Sequence, residues 1–112
     1  MATISPANLQ PATFPKVAVE AALVSELIDV AQAEAMVRGI SLPGDRPGQL
    51  SAAVPMDSLS VVVTLVVIEQ VVGFELKESM VRTGGYASVQ EAVDYLVPRI
   101  QVEWDRKKGR KP

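Results

Sequence analysis

The chain contains no cysteine and no histidine. Without cysteine it forms no disulfide and offers no thiolate to zinc. Without histidine it lacks the usual general base near neutral pH, so it holds no Ser-His-Asp triad of its own. Aromatic residues make up only 4% of the 112 residues, against 48% apolar residues overall. The core must therefore be aliphatic, which favours packed helices. No positively charged start leads into an apolar stretch, so a secretory signal is not expected. The run Val61–Val72 is apolar but shorter than the roughly 20 residues that span a bilayer, and Glu69 interrupts it. The expectation is one small cytoplasmic domain without stable membrane insertion.

Charge is unevenly spread. Six of the eleven Lys and Arg residues and all thirteen acids lie in 1–105, so this stretch carries −7 and residues 106–112 carry +5. An acidic body argues against nucleic acid as a ligand. The cluster Arg106-Lys107-Lys108-Gly109-Arg110-Lys111 reads as a solvated basic tail over 105–112, with contact to phosphate or membrane lipid as the alternative. At the other end Pro6, Pro11 and Pro15 interrupt any apolar period, and 1–15 reads as a flexible leader. That leaves 16–104 as the helical domain.

Within it, Leu23, Leu27, Val30 and Ala31 recur at helical spacing, widened by Val24, Ile28 and Ala35. They predict a first helix from about Val17 to Arg38, stopped by Gly39. Residues 40–57 carry Pro43, Gly44, Pro47, Gly48 and Pro55 and predict a long irregular connection, pinned to the core by Ile40, Leu42, Leu50 and Val54. A second helix should start at Ser58 with Asp57 as its N-cap, run to Val72 and end at Gly73. Its seven valines would also suit a buried strand, but about fifteen residues without a turn signal exceed a typical strand. One or two helical turns are expected over Lys77–Arg82, before Gly84-Gly85. The last helix opens on Ser88-Val89-Gln90-Glu91, a capping box in which Ser88 covers the amide of Glu91 and Glu91 returns to the amide of Ser88. Val89, Val93, Leu96 and Ile100 form its apolar stripe. Pro98 predicts a kink, or an end near Leu96. The fold class is all-α: a small antiparallel bundle of three main helices and one short one, with a long loop between helices 1 and 2.

Asp57-Ser58-Leu59, an apolar helix ending at Gly73, and the later stretch Ser88-Val89-Gln90-Glu91-Ala92-Val93-Asp94-Tyr95-Leu96 resemble the acyl carrier protein family over about Pro55 to Ile100. The resemblance implies a carrier, not an enzyme, with no catalytic residue and no metal site of its own. It implies covalent 4′-phosphopantetheine on Ser58, placed there by a phosphopantetheinyl transferase that brings its own Mg²⁺. Acyl groups would ride on that arm as thioesters in lipid, polyketide or related biosynthesis. The partners would be acyl-transferring or condensing enzymes, meeting Asp57, Leu59, Glu69, Glu75 and Glu78.

Two departures from the family pattern stand out. Pro55 occupies a position usually held by glycine. The second helix, acid-rich in the family, carries only Glu69 between Ser58 and Val72. An exposed apolar stripe there would suit dedicated hydrophobic partners or weak self-association. The alternative expectation is an unmodified carrier-like interaction module or dimeric regulator. Met80, Val81 and Tyr86 are candidates to line an acyl cavity, with ordinary core packing as the plainer role. Leu59 is open between core packing and partner contact, and Trp104 reads as a helix-end anchor.

Overall fold

The computed structural model describes residues 13–109, and these form an all-α fold. Helix α1 spans Lys16–Arg38. It buries Val19, Leu23, Leu27, Ile28, Ala31 and Ala35 on one face. Gly39 ends it in the left-handed region at φ 72°, and the Ile40 amide returns to the Ala35 carbonyl at 2.8 Å. This closes the helix by the motif that glycine after a last turn makes cheap.

The connection after α1 is not wholly irregular. A six-residue helix, α2, runs over Arg46–Ser51. Asp45 caps it by accepting the Gly48 amide at 2.8 Å, and Pro47 sits in its first turn, where a missing N–H costs nothing. Cap and proline were both present in the sequence. The surrounding prolines and glycines hid them, and the helix is too short to show an apolar period.

Helix α3 spans Ser58–Val72, within the predicted bounds. The valines of this run therefore form a helix. Val61, Leu65, Ile68 and Val72 are buried against α1 and the core, each side chain contributing about 1.5–3 kcal/mol. Thr64 is the buried polar residue of the core, and its hydroxyl donates to the Val61 carbonyl at 2.7 Å. Gly73 ends α3 at φ 86°. The expected turns over 77–82 reduce to one 3-10 turn, Glu78–Met80.

Helix α4 spans Val89–Trp104 and continues past Pro98, which lies inside it. The predicted stop near Leu96 is absent for a positional reason. Pro98 and Asp94, whose carbonyl loses its partner, both face solvent, so water can satisfy that carbonyl. Beyond them Ile100 and Trp104 are fully buried and hold the last turns down. The capping box is shifted by one residue. Ser88 accepts the Glu91 amide at 3.1 Å, but Glu91 returns to the Ala87 amide, at 2.6 Å, instead of to Ser88.

Trp104 is the far anchor of the core. Phe14 meets it edge-on at 6.0 Å and Phe74 at 6.3 Å, so it gathers the start of α1, the exit of α3 and the end of α4. Phe14 falls within the expected leader over 1–15, of which residues 1–12 lie outside the described residues. The expected basic tail begins as a π-helical turn over Asp105–Gly109, and its last three residues lie outside the described residues. Among the described residues, no helix is long and apolar enough to cross a membrane.

Candidate functional site

The start of α3 is fixed from two sides. Approaching it, buried Val54 and Met56 alternate with exposed Ala53, Pro55 and Asp57, as an extended segment against a core dictates. Pro55, at a position facing solvent, suits that extended path. Met56 then pairs with Tyr86 in an isolated antiparallel bridge. The Met56 amide donates to the Tyr86 carbonyl and the Tyr86 amide to the Met56 carbonyl, both at 2.9 Å.

Gly85 makes that bridge possible. Its φ is +83°, and a Cβ added to it would lie 2.0 Å from the Met56 carbonyl oxygen. Only a residue without a side chain lets the two backbones approach so closely. Tyr86 is buried, accepts the Arg82 amide on its hydroxyl at 2.9 Å and lies beneath the Arg82 guanidinium. Burial pushes its phenol above the ordinary range.

Asp57 is the N-cap, as expected. Its carboxylate accepts the Ser60 amide at 2.8 Å. That backbone bond, helped by the Ser60 hydroxyl, holds the Asp57 carboxyl below its ordinary value. Asp57 is therefore an anion throughout the neutral range.

Ser58 follows as the first residue of α3. It is half-buried, and among the described residues its hydroxyl makes no hydrogen bond within the chain, so it is open to solvent. Beside it opens a groove of about 380 Å³, walled by Leu59 and Val62 of α3 and by Glu78, Ser79, Val81 and Thr83 across from it. The site thus offers an accessible hydroxyl at a helix start, a fixed carboxylate before it and a partly apolar groove beside it.

The residues predicted for partner contact divide into two groups. Asp57, Leu59 and Glu78 gather around Ser58. Leu59 is 77% exposed, which resolves the question of its role against core packing. Glu69 lies eleven residues along α3, about 16 Å from the Ser58 end at 1.5 Å per residue. It is half-buried and accepts the Leu76 amide at 2.8 Å, so it fastens the chain as it leaves α3. Glu75 is exposed beyond that exit. Of the cavity candidates, Val81 lines the groove at Ser58, Met80 lines a neighbouring one, and Tyr86 belongs to the core.

The outward face of α3 is apolar. Leu59, Val63 and Val66 are 77%, 68% and 55% exposed and fall on one side at i, i+4 and i+7. Val63 also borders a shallow depression of about 270 Å³ with Val30, Ala33 and Glu34 of α1 and with Ser60. The sequence reading missed Gly85, Ser79 and Thr83 as parts of the site. Gly84-Gly85 signalled a turn, but nothing local announced that the turn would close on Met56. No family model, no curated protein and no solved structure matches this chain.

Proposed function

We propose that the protein is a specialised, free-standing acyl carrier of the cytoplasm, its helices arranged as in the acyl carrier protein family. Ser58 is the attachment point for 4′-phosphopantetheine. The observation that carries this reading is the unpartnered, accessible Ser58 hydroxyl at the first turn of α3, directly after a capping aspartate. Asp57 caps the helix start by itself, so the Ser58 hydroxyl stays available for attachment.

The residues present fit the prosthetic group. Ser58 supplies the oxygen, and the groove beside it is of mixed character, with Leu59, Val62 and Val81 alongside the polar Glu78, Ser79 and Thr83. In the loading step, Ser58 Oγ forms a new bond to phosphorus. The pyrophosphate bond of coenzyme A breaks and releases the phosphorylated adenosine. The hydroxyl proton passes to a base of the transferase. When attached, the group supplies a thiol that carries acyl chains as thioesters. This chain's own share is to hold Ser58 at the surface and to present Asp57, Leu59 and Glu78 around it. The apolar outward face of α3 favours partner enzymes with hydrophobic docking patches, because Coulombic attraction to an acid-rich helix is not on offer here.

The test is intact-protein mass after incubation with coenzyme A, Mg²⁺ and a broad-specificity phosphopantetheinyl transferase. The expected result is a gain of one phosphopantetheine on the native chain and none on Ser58→Ala. An unchanged mass on folded native protein would refute the carrier reading. It would favour a second one, supported by the exposed Leu59, Val63 and Val66: an unmodified module that meets other proteins through α3.

A further inference from the structure

We propose that the groove between the Glu78–Met80 turn and the C-terminal half of α4 binds an amphiphilic carboxylate. Arg99 and Lys77 take the carboxylate, and Met80 and Val102 take the start of the apolar chain. The groove holds about 300 Å³, at the small end of ligand sites, and Tyr95 forms part of its wall.

Neither of its two cations is in an ion pair among the described residues, and one is already positioned. The Arg99 guanidinium stacks 3.5 Å from the Tyr95 ring centroid and donates from Nη1 to the Tyr95 carbonyl at 2.8 Å. Those two contacts fix its plane without neutralising its charge, and they leave its other donors for a ligand. A planar guanidinium held in this way is suited to a carboxylate.

Four cations elsewhere are paired, while Arg46 and Lys107, like the two here, are in no ion pair among the described residues. Lys16 meets Glu20, Arg38 meets Glu34, Arg82 meets Glu91 and Arg106 meets Glu103. Among the described residues neither Lys77 nor Arg99 has a carboxylate partner, and both line this groove. Glu103 is the one acid in its lining and is taken by Arg106. The groove therefore keeps a net positive charge beside apolar surface, since Met80 is half-buried and Val102 is 62% exposed. Ser79 adds a hydroxyl at the edge. A bare inorganic anion would leave Met80 and Val102 in water, and a neutral alkyl chain would leave both cations unused. A carboxylate on a short alkyl chain satisfies both parts.

The experiment is a two-dimensional NMR titration of the full chain, unmodified at Ser58, with sodium octanoate below its micelle concentration and with octan-1-ol in parallel. Octanoate is expected to shift the amides of Ser79, Met80 and Val102 saturably, and octanol to bind much more weakly. The double variant Lys77→Gln/Arg99→Gln should weaken octanoate about tenfold at low ionic strength, as loss of hydrogen bonds to a charged group predicts. Val102→Glu, at an exposed position, should abolish binding without unfolding the chain. The proposal is overturned if octanoate shifts none of these amides saturably, if octanol binds as tightly, or if the double variant binds octanoate unchanged. Every arm uses protein without the prosthetic group, so failure here leaves the carrier reading standing, and failure of Ser58 to load leaves this one standing.

Discussion

Replacing Gly85 by alanine should unseat the start of α3. At φ +83° an L side chain costs about 1–2 kcal/mol in backbone strain. The new Cβ would also lie 2.0 Å from the Met56 carbonyl oxygen, 2.9 Å from the Asp57 Cα and 3.0 Å from the Met56 carbonyl carbon. All three are backbone atoms, so no rotamer change relieves the overlap and the segment before Ser58 must move. The Met56–Tyr86 bridge then opens, and its two hydrogen bonds contribute about 0.5–1.5 kcal/mol each. The expected loss is about 2–5 kcal/mol, a large part of the roughly 5–15 kcal/mol that holds a domain together. Gly84→Ala is the control. Gly84 has φ +93° but nothing within 4 Å of an added Cβ, so only the strain of about 1–2 kcal/mol applies.

Urea denaturation of both variants measures the difference directly. Amide hydrogen exchange at Met56 and Tyr86 reports whether the bridge survives. Gly84→Ala should keep both amides protected, and Gly85→Ala should lose both. Equal stability of the two variants, with the Tyr86 amide still protected in Gly85→Ala, would refute the claim that this glycine positions Ser58.

Two further predictions concern the anchors and caps. Trp104→Ala should cost about 3–5 kcal/mol, because Trp104 is 1% exposed and is packed by Phe14 and Phe74; chemical denaturation checks this. Acid should weaken the fold through its helix caps. The Ser60 amide holds the Asp57 carboxyl below its ordinary 3.8, and the Ala87 amide holds that of Glu91 below its ordinary 4.5. A lowered folded-state pKa gives a contribution present above the unfolded value and lost as pH falls through the folded one. Thermal melts should therefore decline as pH drops below 4.5, and Asp57→Asn and Glu91→Gln should each flatten part of that decline.

The features legible in the sequence were those decided within a few residues. Asp57 before Ser58, Gly39 and Gly73 after the last apolar turns, and Ser88 three residues before Glu91 fixed where the long helices begin and end. Caps satisfy backbone groups that have no partner inside the helix, so they announce themselves locally. Features decided across the chain were not legible. Whether Pro98 breaks α4 depends on whether its side faces water and on what Ile100 and Trp104 bury beyond it. Whether Glu91 returns to Ala87 or to Ser88 depends on Arg82, whose guanidinium sits 3.0 Å from the same carboxylate oxygen. The bridge between Met56 and Tyr86 joins residues thirty apart and has no signature in either segment.

The same distinction explains what was visible of the candidate site. The tripeptide Asp57-Ser58-Leu59 is a local signal, and cap, free hydroxyl and exposed leucine follow from its place at a helix start. The opposite wall of the groove, from Glu78 to Thr83, belongs to a segment with little regular structure, placed by the Arg82, Gly85 and Tyr86 contacts. Acid scarcity in α3 also takes a different meaning once exposure is known. As sequence, Val61-Val62-Val63 could have been wholly interior, which would leave the helix nothing with which to meet a partner. In the fold Val61 is buried, Val62 lines the groove beside Ser58 and Val63 faces outward beside Val66. Three successive valines thus serve the core, the groove and the outer face. A single charge at Val63 should therefore leave core and groove intact, whereas the same charge at Val61 should unfold the chain; chemical denaturation of the two variants checks this.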